Sequence, residues 1–484
     1  MAKKVLIVSQ FFGGISESKK QGLPGSCQFA RNLNIYDEPT ELTLNPATAK
    51  ESGSTVTGLV KWMVPGSPYD TRLYAYDDGG KIYDRQTNGT WTSLRTVASS
   101  VGQGLEVFND RLYYAQNTQL GRSSSIVAGS LTFTDNYRTG LTDTSAIGFA
   151  PLKAFHGKLY MGHGNLLLET DGSATPTNAK LTLPAGVYIR ALEIIGEFLV
   201  LGTWSGTSIT DSSRGTLHFW DGVSTDVNFA IDQSEGAVNA LLNSNNRLLS
   251  IIGESGYIYM GYEPFTKVSK IPKLEFSKYA EIFPGAVTNW KGISMFGISN
   301  TDSSSIVNAV YQYGSKSGKY PEALTCGYTI STGSTTGTTV KIGAIRGVGD
   351  ELFIGWRDGS SYGVDKVVQT ASPFASGSWE SSIFDDGNPA IEKESFTLKA
   401  SHKSLASGES VQLGYRRNRD TNFTTGTANS TVGSRTTTLS IPLTTSRFEE
   451  FEFEVILATS GSTSPTVTSV SLGYNSNDQE ENDY

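Results

Sequence analysis

The chain has 484 residues, 37% hydrophobic, 11% aromatic and only 18% charged, with 52 glycines and a net charge of -8. That length exceeds the roughly 250–300 residues at which a single core stops growing, and low charge with abundant Gly, Tyr and Phe favours strands and turns over helix. The acidic balance argues against a protein that binds nucleic acid by neutralising phosphates, Arg416, Arg417 and Arg419 being the one local basic group.

The chain opens MAKKVLIVSQFF, whose apolar run Val5–Val8 is too short for a signal peptide. No later run approaches a membrane span, so synthesis in a cytoplasm without membrane insertion is expected. From Phe11 the sequence reads FFGGISESKKQGLPGSCQFARNLNIYDEPTELTLNP, single hydrophobes among turn residues with no sustained period. Such a stretch packs on something else, and residues 1–55 are read as an arm and first strand. Its anchors, and the candidate interface residues, are Phe11, Phe12, Ile15, Leu23, Phe29, Leu33 and Ile35. They lie either across a neighbouring subunit or on the chain's own propeller, which Val5–Val8 could close with a strand. Cys27 and Cys326 are too few for a disulfide framework or a Cys-rich zinc site and are expected to be unpaired thiols.

Residues 56–370 repeat one pattern: a strand, a polar turn, and a strand with apolar residues at alternate positions. The copies include SPYDTRLYAYD from Ser67, LEVFNDRLYYA from Leu105, LKAFHGKLYMG from Leu152, LEIIGEFLVLG from Leu192 and LLNSNNRLLSIIG from Leu241. TNWKGISMFG from Thr288 and AIRGVGDELFIG from Ala344 complete the series. Gly, Asn or Asp at the turn supplies positive φ or an Asx turn, as tight hairpins require. Arg72, Arg111, Lys158, Glu197, Arg247, Ile293 and Glu351 follow the turns at intervals of roughly forty to sixty residues, the length of a four-stranded propeller blade. An all-β fold with an irregular β-propeller of about seven blades, six to seven, is expected. Trp91, Trp204 and Trp220 are expected between blades.

At TASPFASGSWESSIFDDGNPAIEKESFTLKASHKS, from Thr370, the composition changes. The alternating strands that follow start near Glu394, Glu409, Arg435, Phe448 and Thr466, and residues 371–475 read as a C-terminal β-sandwich. In FEFEVIL the glutamates should face solvent opposite the hydrophobes. Residues 476–484 form an acidic tail expected to be disordered.

Chemistry is sparse. The histidines, His156, His163, His218 and His402, are scattered, and none has the spacing of a metal site; only His163, at a blade strand end, is placed to reach a central channel. Asp77, Asp78, Asp171, Asp221 and Asp358 sit mostly in Asp-Gly turns, where a carboxylate bonds its own backbone. GSKSGKYPE from Gly314 lacks the Gly-Lys-Ser/Thr ending of a phosphate loop. No catalytic residue, metal or cofactor is expected, and the chain is read as a non-enzyme.

The segment GGISESKKQGLPGSCQFARNLNIYDEPTELTLNP resembles the N-terminal arm of tailed-bacteriophage virion propellers, through Gly13, Gly14, Ile15, Pro24, Gly25, Ala30, Asn32, Leu33 and Ile35. The sandwich opening WESSIFDDGNPAIEKESFTLKA is similar to those proteins at Trp379, Ser382, Gly387, Pro389 and Lys393. In layout the whole chain resembles tail hub, nozzle or packaged-DNA-stabilisation proteins. The resemblance implies a structural virion component of the tail or head-tail connection, made in a host bacterial cytoplasm. Its expected partners are copies of itself in a ring, neighbouring tail or connector proteins, tail fibres, and passing DNA bound without sequence specificity. The alternative is a tail-tip propeller that binds, or cleaves, receptor glycans.

Overall fold

The computed structural model describes residues 2–20, 23–51, 53, 55–66, 72–97, 101–128, 130–141, 147–172, 179–206, 214–253, 257–261, 266–270, 280–300 and 307–476. Its regular structure is strand, with two single 3-10 turns at Ile126–Ala128 and Leu443–Thr445. Among the described residues no helix is long and apolar enough to cross a membrane. Two compact units are present: Thr48–Val310 with Thr329–Val368, and Met1–Ala47 with Tyr311–Tyr328 and Gln369–Tyr484.

The first unit holds six four-stranded antiparallel sheets. Sheet I comprises Val60–Pro65, Leu73–Asp77, Lys81–Arg85 and Trp91–Thr96. Sheets II to V follow in order, their first strands being Gly104–Phe108, Leu152–Phe155, Val187–Ile195 and Val238–Ser244. Sheet VI begins with Val340–Val348. Between V and VI stands the hairpin Val287–Trp290 with Ile293–Asn300. Each of these first strands neighbours the next, and Val340–Val348 returns to Val60–Pro65, so they close a ring. A closed ring of radial four-stranded sheets is a β-propeller.

The repeated turns explain the repeated hairpins. Asn109 and Asp110 have φ of 47° and 55°, and Asn245 and Asn246 have 52° and 62°. Positive φ at both central residues is the type I′ geometry whose twist matches the strands it joins. The part of the first copy at Ser67–Thr71 lies outside the described residues. Neighbouring sheets share cores: Val60, Met63 and Trp91 of sheet I pack with Ala344, Phe353 and Val364 of sheet VI. Likewise Trp220 of sheet IV meets Tyr160 of sheet III edge-on at 5.4 Å. Trp91 and Trp220 therefore join sheets. Each such side chain, fully buried, contributes about 1.5–3 kcal/mol through the apolar area it removes from water.

Sheet VI takes its fourth strand from far upstream: Ala49–Lys50 pairs antiparallel with Ser361–Val368, at Lys50↔Asp365 and Ala49↔Lys366. The next residue, Glu51, is buried and accepts hydrogen bonds from Arg85 (2.6–3.0 Å) and the Trp91 indole N–H (2.7 Å) of sheet I. A strand before the first sheet thus completes the last one. Val5–Val8, which the sequence offered as one possible closing strand, pairs instead with Val467–Ser476.

Among the described residues the second unit contains a short ladder of Leu33–Asn34 with Thr43–Leu44, and strands of two larger sheets. One orders Ala2–Val8, Val467–Ser476, Lys393–His402 and Thr436–Ser440. In the other, Ser26–Arg31 lies between Ala323–Tyr328, to which it is parallel, and Ser376–Ser381, to which it is antiparallel. Phe451–Thr459 and Glu409–Arg417 continue that sheet. Phe448 beside Lys393–His402 packs on Phe451 of the other sheet at 5.1 Å. Strands near Glu394, Glu409, Arg435, Phe448 and Thr466 occur where the alternation placed them.

Residues 1–47 belong to the second unit, in which Ser26–Arg31 is an interior strand with neighbours on both sides. One expectation needs correction here. Glu452 of FEFEVIL is 3% exposed and does not face solvent. Arg416 holds its carboxylate at 2.5 and 3.0 Å, and the Gln28 amide donates to it, so charge pairing makes the burial tolerable. Of the expected tail, residues 477–484 lie outside the described residues.

Candidate functional site

The strands of the propeller ring enclose a cavity of about 270 Å³, to which seven of them contribute. Trp62, Val64, Leu241, Leu242 and Ile345 give it apolar walls. Glu106, Lys153, Glu193 and Arg346 give it a band of alternating charge. Three of these four follow a leucine in the repeat, Leu105-Glu106, Leu152-Lys153 and Leu192-Glu193, so the register sets them at equivalent depth.

Within the band, Lys153 lies 2.6 Å from Glu193. Each glutamate also accepts the amide of the following residue, Val107 at 3.1 Å and Ile194 at 2.8 Å. Burial raises the Glu106 carboxyl above the ordinary range, against the pull of Lys153 and Arg346. Burial pulls Lys153 down, but Glu193 and Glu106 outweigh it and hold the ammonium above the usual lysine value. The Arg346 guanidinium interacts with Glu106 and Lys153 only through space; among the described residues it makes no hydrogen bond or ion pair.

One or two residues upstream on the same strands sits a second charged group. Arg190, 2% exposed, donates to the Asn239 carbonyl at 3.2 Å and the Ile282 carbonyl at 2.9 Å. Its guanidinium lies 4.4 Å from the Phe149 ring, and Lys61 Nζ lies 4.5 Å from the same ring. Burial lowers Lys61 to about 8, with Arg190 adding to the effect and Asp78 and Glu281 opposing it. Two cations share one aromatic ring here.

The residues singled out from sequence fall elsewhere. His163 is buried in the second strand of sheet III, Lys158–His163, and does not line the cavity. His156 stacks on Phe155 in a hairpin turn, and His402 bonds the Lys403 carbonyl and Thr437. In His218, burial lowers the imidazole's pKa. Asp221 accepts from the amides of Val223 and Ser224, the Ser224 hydroxyl and the Asn228 amide, a self-contained turn. Asp77 does likewise with Gly79, Lys81 and Tyr83. Among the described residues no three His, Cys, Asp or Glu side chains could hold a metal ion.

The interface candidates are mostly consumed within their own unit. Phe11, Ile15, Phe29, Leu33 and Ile35 are at most 5% exposed. Phe11 meets Trp379 edge-on at 5.5 Å, and Phe12 lies against Tyr320 at 5.0 Å. Only Leu23, 50% exposed, remains open to a partner.

Chemically, a partly buried carboxyl of raised pKa near a second carboxyl is a pattern used in glycoside hydrolysis. Here Lys153 is tied to Glu193, the second carboxyl, and the cavity lies below the ~300–1,000 Å³ common for ligand pockets. The space suits a small molecule better than a polysaccharide.

No protein-family model and no curated protein matches the chain. Among solved structures it is similar to one titled as a mitotic checkpoint complex, with 13% identity and a TM-score of 0.45, over 67% of this chain and 95% of that one. It is also similar to the WD40 β-propeller domain of Doa1, with 10% identity and a TM-score of 0.45, over 68% of this chain and 97% of that one.

Proposed function

We propose that the chain is a seven-bladed propeller with a β-sandwich that serves as a structural component of a tailed-phage virion. It would stand in the tail or head-tail connection and assemble head-to-tail into a ring. The sandwich is read as the assembling part. The observation that carries the reading is the strand Ala2–Val8, which ends its sheet and pairs on one side only, with Val467–Ser476. Val5 and Ile7 on that strand are each 63% exposed. Lys3 and Lys4 blunt the start of the strand, but Val5–Val8 is apolar, and an apolar edge is a template for pairing with another chain. At the sheet's far edge, Thr436–Ser440 also pairs with a strand on one side only, and Leu443 beyond it is 80% exposed. Joining one copy's first edge to the next copy's far edge makes a heterologous contact, which closes into a ring when the rotation permits.

Complementation tests this directly. Val5→Lys with Ile7→Lys should block one edge, and Leu443→Lys the other, leaving each variant monomeric alone. Mixed, they should form dimers through the one intact pair of edges. Self-association of either variant as strong as that of the unaltered chain would reject the contact.

A further inference from the structure

We propose that the axial cavity binds a small organic monoanion, a carboxylate on a short apolar body, through Arg346 and the indole N–H of Trp62. Two observations converge on it. The Arg346 guanidinium lines the cavity and, among the described residues, makes no hydrogen bond or ion pair. Trp62 lines the same cavity at 9% exposure, and among the described residues its buried indole nitrogen has no acceptor. The two sit on adjacent strands of the ring, Val340–Val348 and Val60–Pro65. A buried donor without an acceptor costs free energy, and a guanidinium presents a planar fork matched to a carboxylate.

The neighbours define the ligand further. Lys153 is engaged by Glu193 at 2.6 Å, so among the described lining residues Arg346 supplies the uncommitted cation. Glu106 and Glu193 in the same wall oppose a second negative charge, which disfavours phosphate. Thr288 and Asn289, the neutral polar residues in the lining, are already bonded: Thr288 accepts the Gly347 amide, and Asn289 donates to the Asn243 carbonyl. What remains is apolar wall from Val64, Leu241, Leu242 and Ile345, which fits an alkyl body.

Calorimetric titration of the full chain with acetate, n-butyrate and inorganic phosphate tests the assignment. Butyrate should bind about tenfold more tightly than acetate, since two further methylenes leave water. Phosphate should bind more weakly than both. Arg346→Ala should weaken butyrate at least tenfold, Arg346→Lys should keep part of the affinity, and Trp62→Phe should lose several-fold. If Arg346→Ala does not fold, the unaltered chain still reports: butyrate should shift one indole N–H resonance, the one missing from Trp62→Phe. Undetectable butyrate binding, equal binding by Arg346→Ala, or phosphate binding above butyrate would overturn the proposal.

Discussion

Lys61 is the residue whose environment makes the sharpest demand on the fold. Its ammonium is buried against Phe149 and Phe283, with the Gly148 carbonyl at 3.5 Å as its hydrogen-bond acceptor. Its pKa falls from 10.5 to about 8, so between these values the unfolded chain binds more protons than the folded one. Stability therefore rises with pH across that window, and below it the buried charge is a constant burden. Each tenfold loss of proton affinity on folding corresponds to about 1.4 kcal/mol, so Lys61→Met should stabilise the protein at pH 7 by up to roughly 3 kcal/mol. Its advantage should shrink as pH rises from 8 to 10.5. Melting temperatures of both proteins across pH 6–11 check this; a variant no more stable at pH 7, or an advantage independent of pH, would contradict it. The axial charges were on view in LEVF, LKAF and LEII, where a charged residue follows leucine in three consecutive repeats. Read by strand alternation alone, Glu106, Lys153 and Glu193 look like solvent-facing positions. Only ring closure turns that face inward.

At the scale of elements, the segment that looked unpackable proves to be interior. Ser26–Arg31 reads SCQFAR, too short and mixed to announce a strand, and its partners lie some three hundred residues away at Cys326 and Ser378–Ser381. No local pattern carries such a pairing. The repeated hairpins were legible for the opposite reason: turn chemistry at Asn109-Asp110 and Asn245-Asn246 and the flanking alternation are contiguous. Deleting residues 1–46 should therefore unfold the unit that includes residues 369–484 while sheets I to V persist. Limited proteolysis of the truncated chain should release fragments from beyond residue 369 first; wild-type resistance there would refute the interior role of the strand. The two thiols report on the same element. Cys27 and Cys326 are free and fully buried, burial raising the first well above the ordinary thiol value and the second to about 12. A thiolate-selective reagent should leave both unmodified in the native protein and label both in denaturant. Native-state labelling at the rate of a free thiol would show that this strand opens.

The whole molecule is an arrangement of two devices with separate origins in the chain. The propeller is built from local repeats and closed by the two-residue strand Ala49–Lys50, with Glu51 tying sheet VI to Arg85 and Trp91 of sheet I. The other unit is built from distant segments and ends in the edge strand Ala2–Val8. So short a closing strand has no periodicity to detect, whereas the apolar run Val5–Val8 is visible in the sequence. The apolar residues of Val5–Val8 instead end a sheet, with Val5 and Ile7 open to solvent. Assembly through that edge is the central claim, and molar mass in solution measures it most directly. Light scattering on the full chain should give an integer multiple of 52.1 kDa, falling to 52.1 kDa in the Val5→Lys, Ile7→Lys variant. A mass of 52.1 kDa for the unaltered chain at every concentration, or an oligomer that survives both substitutions, would contradict it.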